Sequence, residues 1–401
     1  MKATTARLVF LLLLSVFALA TAAKAQTQKS KIDATALAAL VRAAEASHSD
    51  ALVVLQNGKT VGEWYFGKPV GPIEAMSVTK SVVGMAVGAL VTEGKIKSID
   101  EPVHTFYPEW KQGRKQLITV RHLLTHTSGL QNYPRTDVEI YPSSDFVQLA
   151  LAAELSDEPG QKFSYNNKAL NLLAGVVQKA SGKRLDVYLR EGLFQQLGIL
   201  DFTWTLDQAG NPHGMSGLQI RPTDLAKLGQ LMLQQGRWNG QQLLSADWVT
   251  ASGQASQKLY PTYGLLWWLA PASTTFVIDQ EQISKLETAG ISPNFVSKVR
   301  TLQGNYANQA AYYAALERTF GKEHRRVLME TMGKLDFSLS KKTYGPIIGY
   351  SGRGFLGQYL MVYPQQGLVV VRMVRASKDY QEANDELENI DQLVAQLVKS
   401  K

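Results

Sequence analysis

A serine and a lysine, Ser77 and Lys80, lie three residues apart at the start of a long apolar segment. Residues 81–91 are apolar or small, and they predict a buried helix over about 77–93 that ends before Gly94. On a helix, residues i and i+3 share a face, so the Ser77 hydroxyl and the Lys80 amine can meet. A neutral lysine can take the proton of a serine and make it a nucleophile. The spacing therefore predicts acyl transfer through Ser77, provided that burial or positive potential lowers the pKa of Lys80.

The same spacing recurs at Ser338 and Lys341. A pattern of two common residue types is expected about once by chance in a chain of this length. For any single match, the alternative is a helix-capping serine beside a solvated lysine. The second copy lies in a polar stretch that soon reaches Gly345-Pro346, so we do not expect a buried catalytic helix there.

A tyrosine and an asparagine, Tyr165 and Asn167, follow a Pro159-Gly160 turn and precede an apolar helical segment. We expect both side chains to point into one cleft. A phenol beside a positive lysine loses its proton more easily, so Tyr165 is a candidate general base, or the acid that protonates a leaving group. The Asn167 amide can hold Lys80 or a substrate carbonyl. The alternative is a buried tyrosine with a capping asparagine.

A glycine-rich segment lies near the other end of the chain, with five glycines between residues 345 and 357. Glycines beside a strand allow a ligand to approach the backbone closely. A backbone N–H of this segment can join the Ser77 N–H in an oxyanion hole. The alternative is a glycine-rich strand entry without a function.

The first 25 residues have the pattern of a secretory signal peptide, with a basic start, an apolar core and an A-x-A site ending at Ala25. We expect cleavage after Ala25 and a periplasmic or secreted protein. A membrane anchor is the alternative, but the apolar core is short for a span. The chain contains no cysteine, so the exported fold must depend on its core without disulfides.

Several classes of protein and site are not expected. The net charge of +8 is mild and spread along the chain, which argues against nucleic acid as a partner. No later segment predicts stable membrane insertion once the signal peptide is removed. His122 and His126 have the spacing of a zinc protease, but Leu123 stands where its glutamate is required, so we expect a structural histidine pair and neither metal nor cofactor. The oligomeric state stays open.

Strand patterns lie at both ends of the chain. Residues 51–56 and 59–66, joined by Asn57-Gly58, predict a hairpin, and residues 358–364 and 368–373 predict another. The chain between and after them favours helices at roughly 77–93, 168–181, 223–235, 306–318 and 381–399.

This arrangement predicts an α+β fold, with an antiparallel sheet built from N- and C-terminal strands, flanking helices and an inserted, mostly helical region. We expect a sheet domain over 26–100 and 260–401 and a helical domain over 101–259.

Six motifs, taken in order, make the chain resemble the serine β-lactamase/penicillin-binding superfamily. Within it the chain is similar to class C-like serine hydrolases: esterases, D-amino-peptidases and aminohexanoate-dimer hydrolases. The motifs are Ser77-x-x-Lys80, residues 121–130, Pro159-Gly160 with Tyr165-x-Asn167, residues 222–229, Tyr263-Gly264-x-x-Trp267-Trp268, and Gly352-Arg353-Gly354-x-x-Gly357-Gln358.

The resemblance implies a β-lactamase/transpeptidase-like fold and a role for each matching side chain. Ser77 would be acylated, Lys80 would activate it, Tyr165 would relay protons, and Asn167 would position Lys80 or the substrate. The Gly354-Phe355 step resembles the nylon-oligomer hydrolases, in which the backbone N–H there completes the oxyanion hole.

The chain departs from the family in two places. The third family motif is usually Lys-Thr-Gly or His-Thr-Gly, whereas the nearest match here, Tyr350-Ser351-Gly352, has no cation at its first position. This departure argues against recognition of a β-lactam or a peptide carboxylate by that motif. A segment of unusual length, residues 270–345, precedes it and is either a lid over the cleft or a surface decoration.

The leading hypothesis is an exported serine hydrolase that cleaves a small ester, amide or peptide-like substrate through an acyl-enzyme on Ser77. One alternative is a β-lactamase or a peptidoglycan D-amino-peptidase. Another is a non-catalytic cell-wall binding module on the same fold.

Overall fold

The computed structural model describes residues 32–133, 135–333, 335, 337–381, 387 and 389–398. The predicted signal peptide and its cleavage after Ala25 lie outside these residues, as does part of the helix predicted at 381–399.

The described strands are numbered in chain order: β1 Ala51–Gln56, β2 Lys59–Trp64, β3 Ile73–Glu74, β4 Phe202–Trp204, β5 Leu218–Ile220, β6 Arg237–Trp238, β7 Gln241–Gln242, β8 Trp268–Pro271, β9 Thr274–Ile278, β10 Gly304–Tyr306, β11 Lys341–Tyr344, β12 Ile347–Gly354, β13 Gln358–Tyr363 and β14 Leu368–Met373. The described α-helices are α1 Ala34–Ala46, α2 Val78–Thr92, α3 Val120–Leu124, α4 Thr136–Glu139, α5 Phe146–Ala152, α6 Asn167–Ser181, α7 Leu185–Leu189, α8 Gln195–Leu197, α9 Pro222–Leu233, α10 Ala246–Ser252, α11 Gln280–Thr288, α12 Pro293–Arg300, α13 Gln309–Phe320, α14 His324–Met332 and α15 Ile390–Ala395.

The largest sheet brings together strands from both ends of the chain, in the order β2-β1-β14-β13-β12-β8. Its neighbouring strands are antiparallel. Both predicted hairpins are present, and Asn57 and Gly58 have φ values of 49° and 76°, as a type I′ turn requires. Strand β1 pairs directly with β14, with Val53 opposite Val371. The prediction of an α+β fold with a sheet made from the chain ends is confirmed.

The two faces of this sheet pack against different helices, because alternate residues of a strand point to opposite faces. On one face, Leu52 and Val54 share a core with residues of α1 and α15. On the other face, Ala51 and Val53 share a larger core with residues of α2, α6 and α9. All six residues of β13 are buried, since both faces are covered.

Helix α9 lies within residues 101–259, the range predicted as a helical domain, yet it packs on the sheet. A Cβ added at Gly229 would stand 2.6 Å from Val369 and 2.8 Å from Leu360, so this glycine lets the helix approach β13 and β14 closely. The predicted domain bounds remain a prediction. Helix α9 lies inside the range predicted as the helical domain, yet its packing partner is the main sheet.

The described residues of 270–345 form a unit with its own small sheet and core. Its sheet has the order β10-β9-β11. Phe276, Ile283, Val299 and Leu316 belong to a core separate from that of the main sheet. The helix predicted at 306–318 is present as α13, but it begins later because the Asn308 side chain caps it by accepting from the Ala311 N–H at 2.9 Å.

None of the helices in the described part of the chain combines the length and the hydropathy of a membrane span.

Candidate active site

Ser77 lies directly before α2, and its hydroxyl oxygen accepts a hydrogen bond from Lys80 Nζ at 2.8 Å. The hydroxyl does not cap the helix. Residues 78–90 are all buried, which explains why an apolar helix begins here and why Lys80 is only 2% exposed. Met76, the preceding residue, has φ 47°, an uncommon backbone conformation for a non-glycine residue. The predicted meeting of the two side chains is present.

Lys80 has a second partner that the sequence did not indicate. Its Nζ donates to the carbonyl oxygen of Met215 at 2.8 Å. Burial lowers the pKa of Lys80 to about 7. A large fraction of this amine is therefore neutral near neutral pH, as a general base for Ser77 must be.

The Met215 carbonyl is held in place by Asn171 on α6. Asn171 Oδ1 accepts from the Gly214 N–H at 2.9 Å and from the Met215 N–H at 3.3 Å. Asn171 is buried. No motif marks it, and a single amide within the apolar stretch 169–177 was the one signal available in the sequence. Asn171 thus positions Lys80 through the 214–215 backbone.

The Tyr165 hydroxyl lies near Ser77, and the ring lies beside the lysine, with Lys80 Nζ 4.9 Å from its centroid. Burial nevertheless raises the pKa of Tyr165 to about 12 and outweighs the opposite effect of the interaction with Ser77. The expectation that a neighbouring positive charge would ease loss of the phenol proton is therefore wrong. The side chain is protonated at neutral pH.

Aromatic rings fix the orientation of Tyr165. The His126 ring lies 4.5 Å away and the Trp268 ring stacks at 5.9 Å, measured between centroids. His126 Nδ1 accepts from the Asn166 N–H at 3.1 Å, which ties the loop before α6 to the loop after α3. Burial first, and the Lys80 charge second, hold the pKa of His126 well below its usual value. A neutral His126 thus supports the position of Tyr165.

His122 and His126, which have the spacing of a zinc protease, accept hydrogen bonds from different backbone N–H groups. His122 Nδ1 accepts from the Thr119 N–H at 3.2 Å, as part of the cap of α3. Among the described residues, no group of three or more histidine, aspartate or glutamate side chains could hold a metal ion.

Asn167 begins α6, close to Tyr165 in sequence, but it does not hold Lys80. The lysine hydrogen bonds found among the described residues go to Ser77 and Met215. The Asn167 Oδ1 atom is buried and has no hydrogen-bond partner there. The predicted contact with Lys80 is therefore not present, whereas the alternative contact with a substrate carbonyl stays a prediction. A buried acceptor remains at the start of α6.

Strand β12 lies directly against the start of α2 through its glycines. A Cβ at Gly354 would stand 2.9 Å from the Ser77 nitrogen, and one at Gly352 would stand 2.8 Å from Ser81 Oγ. Gly354 and Phe355 line the same cleft as Ser77, and Phe355 is 65% exposed. This placement suits the Phe355 N–H as a second oxyanion donor beside that of Ser77.

The Tyr350-Ser351-Gly352 segment is not part of the cleft lining. Tyr350 is buried against Trp267 at 5.3 Å between ring centroids, and its hydroxyl has no partner among the described residues. Ser351 is 1% exposed and accepts from Arg353 Nε at 2.9 Å. Tyr350, Ser351 and Gly352 therefore do not line the cleft, and a role for them in binding the substrate or the oxyanion stays a prediction.

Arg353 contacts the cleft, but its charge is paired. Its Nη2 donates to both carboxylate oxygens of Asp391 on α15, at 2.9 and 2.7 Å. The sequence alone gave no direction for this side chain.

The cleft above Ser77 has a volume of about 620 Å³, and the 270–345 unit forms part of its wall. Residues from that unit that line it include Phe276, Gln309, Lys342 and Tyr344. The unit is therefore neither a distant decoration nor separate from the site. Sequence reasoning missed these wall residues because nothing in their spacing relates them to Ser77.

Comparison with known proteins agrees with this geometry. The beta-lactamase family model matches residues 37–395. Esterase EstB from Burkholderia gladioli is 33% identical over 144 residues, which cover 31% of this chain and 36% of that protein. The 6-aminohexanoate-dimer hydrolase of Paenarthrobacter ureafaciens is 28% identical over 236 residues, which cover 54% of this chain and 60% of that protein. The matches thus span less than two thirds of these relatives.

A solved structure shares the fold. The penicillin-binding protein from Bacillus halodurans superposes with a TM-score of 0.58 at 17% identity, over 89% of this chain and 98% of that one. Since the family match extends from α1 to α15 and encloses the Ser77–Lys80 pair, the chain belongs to the beta-lactamase family, within the serine β-lactamase and penicillin-binding protein superfamily.

Proposed function

We propose that this protein is an exported serine hydrolase that cleaves an ester or an unstrained amide through an acyl-enzyme on Ser77. One observation carries the proposal: a buried amine with its pKa lowered to about 7 bonds directly to the serine hydroxyl that borders the cleft. A base whose pKa lies near the working pH is effective in proton transfer.

Acylation begins when neutral Lys80 takes the Ser77 proton and the serine oxygen attacks the substrate carbonyl carbon. The negative charge that develops on the carbonyl oxygen is stabilised by the backbone N–H groups of Ser77 and Phe355. The bond to the leaving group then breaks, and the leaving alcohol or amine receives a proton. Tyr165, which is protonated and lies near Ser77 and Lys80, is placed to pass that proton from Lys80.

Deacylation repeats these steps with water. A water molecule gives a proton to the Tyr165–Lys80 pair and attacks the acyl carbon, and the returning proton restores the Ser77 hydroxyl as the acid product leaves. The names of the two relatives, an esterase and an amide hydrolase, support esters and amides as the substrate class. This Ser-Lys-Tyr arrangement is class C-like in its order along the chain.

A covalent label tests the proposal. A fluorophosphonate should attach to Ser77, and Ser77→Ala should lose both the label and the hydrolysis of p-nitrophenyl esters. A Ser77→Ala protein that keeps wild-type activity would exclude the mechanism.

Assays with other substrates address the alternatives. Little turnover is expected with nitrocefin or a D-Ala-D-Ala peptide, because the first position of the third motif is the buried Tyr350. Fast turnover of either would favour the β-lactamase or peptidase function. A chain that forms no acyl-enzyme with any ester, while binding cell-wall fragments in titration, would favour a binding module.

The export part of the proposal rests on the first 25 residues. The protein recovered from the periplasm or the medium should begin at Gln26, as N-terminal sequencing would reveal. A full-length chain retained in the cytoplasm would contradict it.

A further inference from the structure

The charged groups that line the cleft above Ser77 are all cations. Among the described lining residues there is no carboxylate, and the charged side chains are those of Lys342 and Arg353. The Arg353 charge is neutralised by Asp391 at 2.7 Å. No ion pair is found for Lys342 within the described part of the chain, and its side chain is exposed. As far as the described residues show, the cleft therefore presents one uncompensated positive charge.

The position of Lys342 follows from the alternation of strand β11. The preceding residue, Lys341, bridges Asp279 and Glu281 at 2.7 and 2.5 Å. Successive residues of a strand point to opposite faces, so Lys342 turns away from those acids. Its Nζ lies 5.7 Å from the centroid of the Phe276 ring, its cross-strand partner in the cleft wall.

Aromatic rings line the cleft that Lys342 shares with Ser77. Phe276, Tyr344, Tyr260 and Trp268 line the same cleft. Such a wall suits an apolar stretch of substrate, with a few polar groups that fix its orientation. The volume of about 620 Å³ is in the range of sites for drug-sized ligands.

We infer that Lys342 binds a carboxylate at the far end of the substrate, so that the favoured substrates are esters or amides with an anionic group beyond an apolar segment. The inference rests on the proposed function, since it places the reacting carbonyl at Ser77. This cation comes from the 270–345 unit. The third motif of this chain, Tyr350-Ser351-Gly352, has no cation at its first position.

The test compares two esters that differ in one charge. The p-nitrophenyl monoester of suberic acid carries a free carboxylate, and p-nitrophenyl methyl suberate is its neutral match. Wild type should prefer the acid in kcat/KM. In Lys342→Gln this preference should fall about three- to fivefold at low salt, the range of a partly exposed ion pair. High salt should reduce the wild-type preference in the same direction.

The effect should lie in KM, because the contact is present in both the bound substrate and the transition state. Lys342→Arg should keep the preference. Lys59→Gln is the matched control, because it removes one positive charge from an exposed position on β2, the edge strand opposite β8 in the main sheet. This variant should leave the preference intact.

The outcomes separate the two proposals. Ser77→Ala that still hydrolyses both esters overturns the proposed function. If Ser77→Ala abolishes hydrolysis but the wild type does not prefer the acidic ester, only the inference is overturned. The inference is also overturned if Lys342→Gln keeps the preference for the acidic ester, or if it loses kcat/KM equally on both esters.

Discussion

At the scale of single residues, the chemistry depends on how burial acts on two groups in contact with Ser77. Burial lowers the pKa of Lys80 to about 7 and raises that of Tyr165 to about 12. Desolvation disfavours the charged form in both cases, so the lysine tends to be neutral and the tyrosine stays protonated. The same physical cause thus favours a neutral amine and a protonated phenol near one serine, as the proposed base and acid require.

The pH dependence of kcat/KM should follow the Lys80 amine. Because its folded pKa is lowered from 10.5 to about 7, activity should be low where the amine is protonated and should rise as pH increases through about 7. A pH profile with a p-nitrophenyl ester measures this. A profile that is flat across neutrality would contradict a lysine base.

Tyr165→Phe should reduce kcat about a hundredfold, because the proposed proton-transferring hydroxyl near Ser77 is removed. The ring contacts with His126 and Trp268 remain, so stability should change little. Tyr350→Phe is the matched control, since it removes a buried hydroxyl that has no partner in the described structure. That variant should keep its activity and be neutral or slightly stabilised in chemical denaturation. Equal losses in the two variants would show that Tyr165 has no special role.

At the scale of elements, the site depends on how α6 and β12 approach α2. Helix α6 supplies Asn171, which holds the carbonyl that accepts from Lys80, and β12 brings Gly354 against the Ser77 nitrogen. Neither Asn171 nor Gly354 has a reacting side chain, yet both set the geometry of residues proposed to react.

Asn171→Leu should leave the buried Gly214 and Met215 N–H groups without their acceptor and destabilise the protein by about 1–3 kcal/mol. Since the Met215 carbonyl would lose its position, the pH midpoint of kcat/KM should also move. Asn171→Asp retains an acceptor oxygen and should recover part of the activity. A loss of stability with an unchanged pH midpoint would indicate a structural role alone.

Gly354→Ala should lower kcat strongly, because the new Cβ would stand 2.9 Å from both the Ser77 nitrogen and the Ala75 carbonyl oxygen. Gly192→Ala is the control, as a Cβ there meets nothing within 4 Å. Ester hydrolysis and fluorophosphonate labelling of the two variants compare them. Full activity in Gly354→Ala would show that β12 does not constrain the nucleophile.

At the scale of the whole molecule, the sequence predicted the scaffold better than the site wall. Hairpin turns and the apolar helix α2 are local patterns, so the terminal strands and the Ser77–Lys80 contact were predictable. The directions of Tyr350 and Asn167 were not, because strand register and helix packing decide them only after folding. The role of residues 270–345 was also hidden, since Lys342 reaches the cleft through a separate sheet.

The 270–345 unit should be removable. The Gly345 N–H donates to the Ser273 carbonyl at 2.9 Å, so the two ends of the unit are adjacent, and the unit has its own core. A chain in which a short Gly-Ser link replaces residues 274–344 should still label at Ser77 but lose its preference for the acidic ester. Loss of labelling in a chain that is folded by circular dichroism would show that the unit is required for catalysis itself.

The pairing of β1 with β14 also bears on how the protein is made. Ser77 is synthesised long before Phe355 and the strands β13 and β14, which complete the main sheet. A nascent or truncated chain that lacks these strands has the serine without the proposed second oxyanion donor. Under the proposed mechanism, reactivity therefore appears only after β14 has been synthesised.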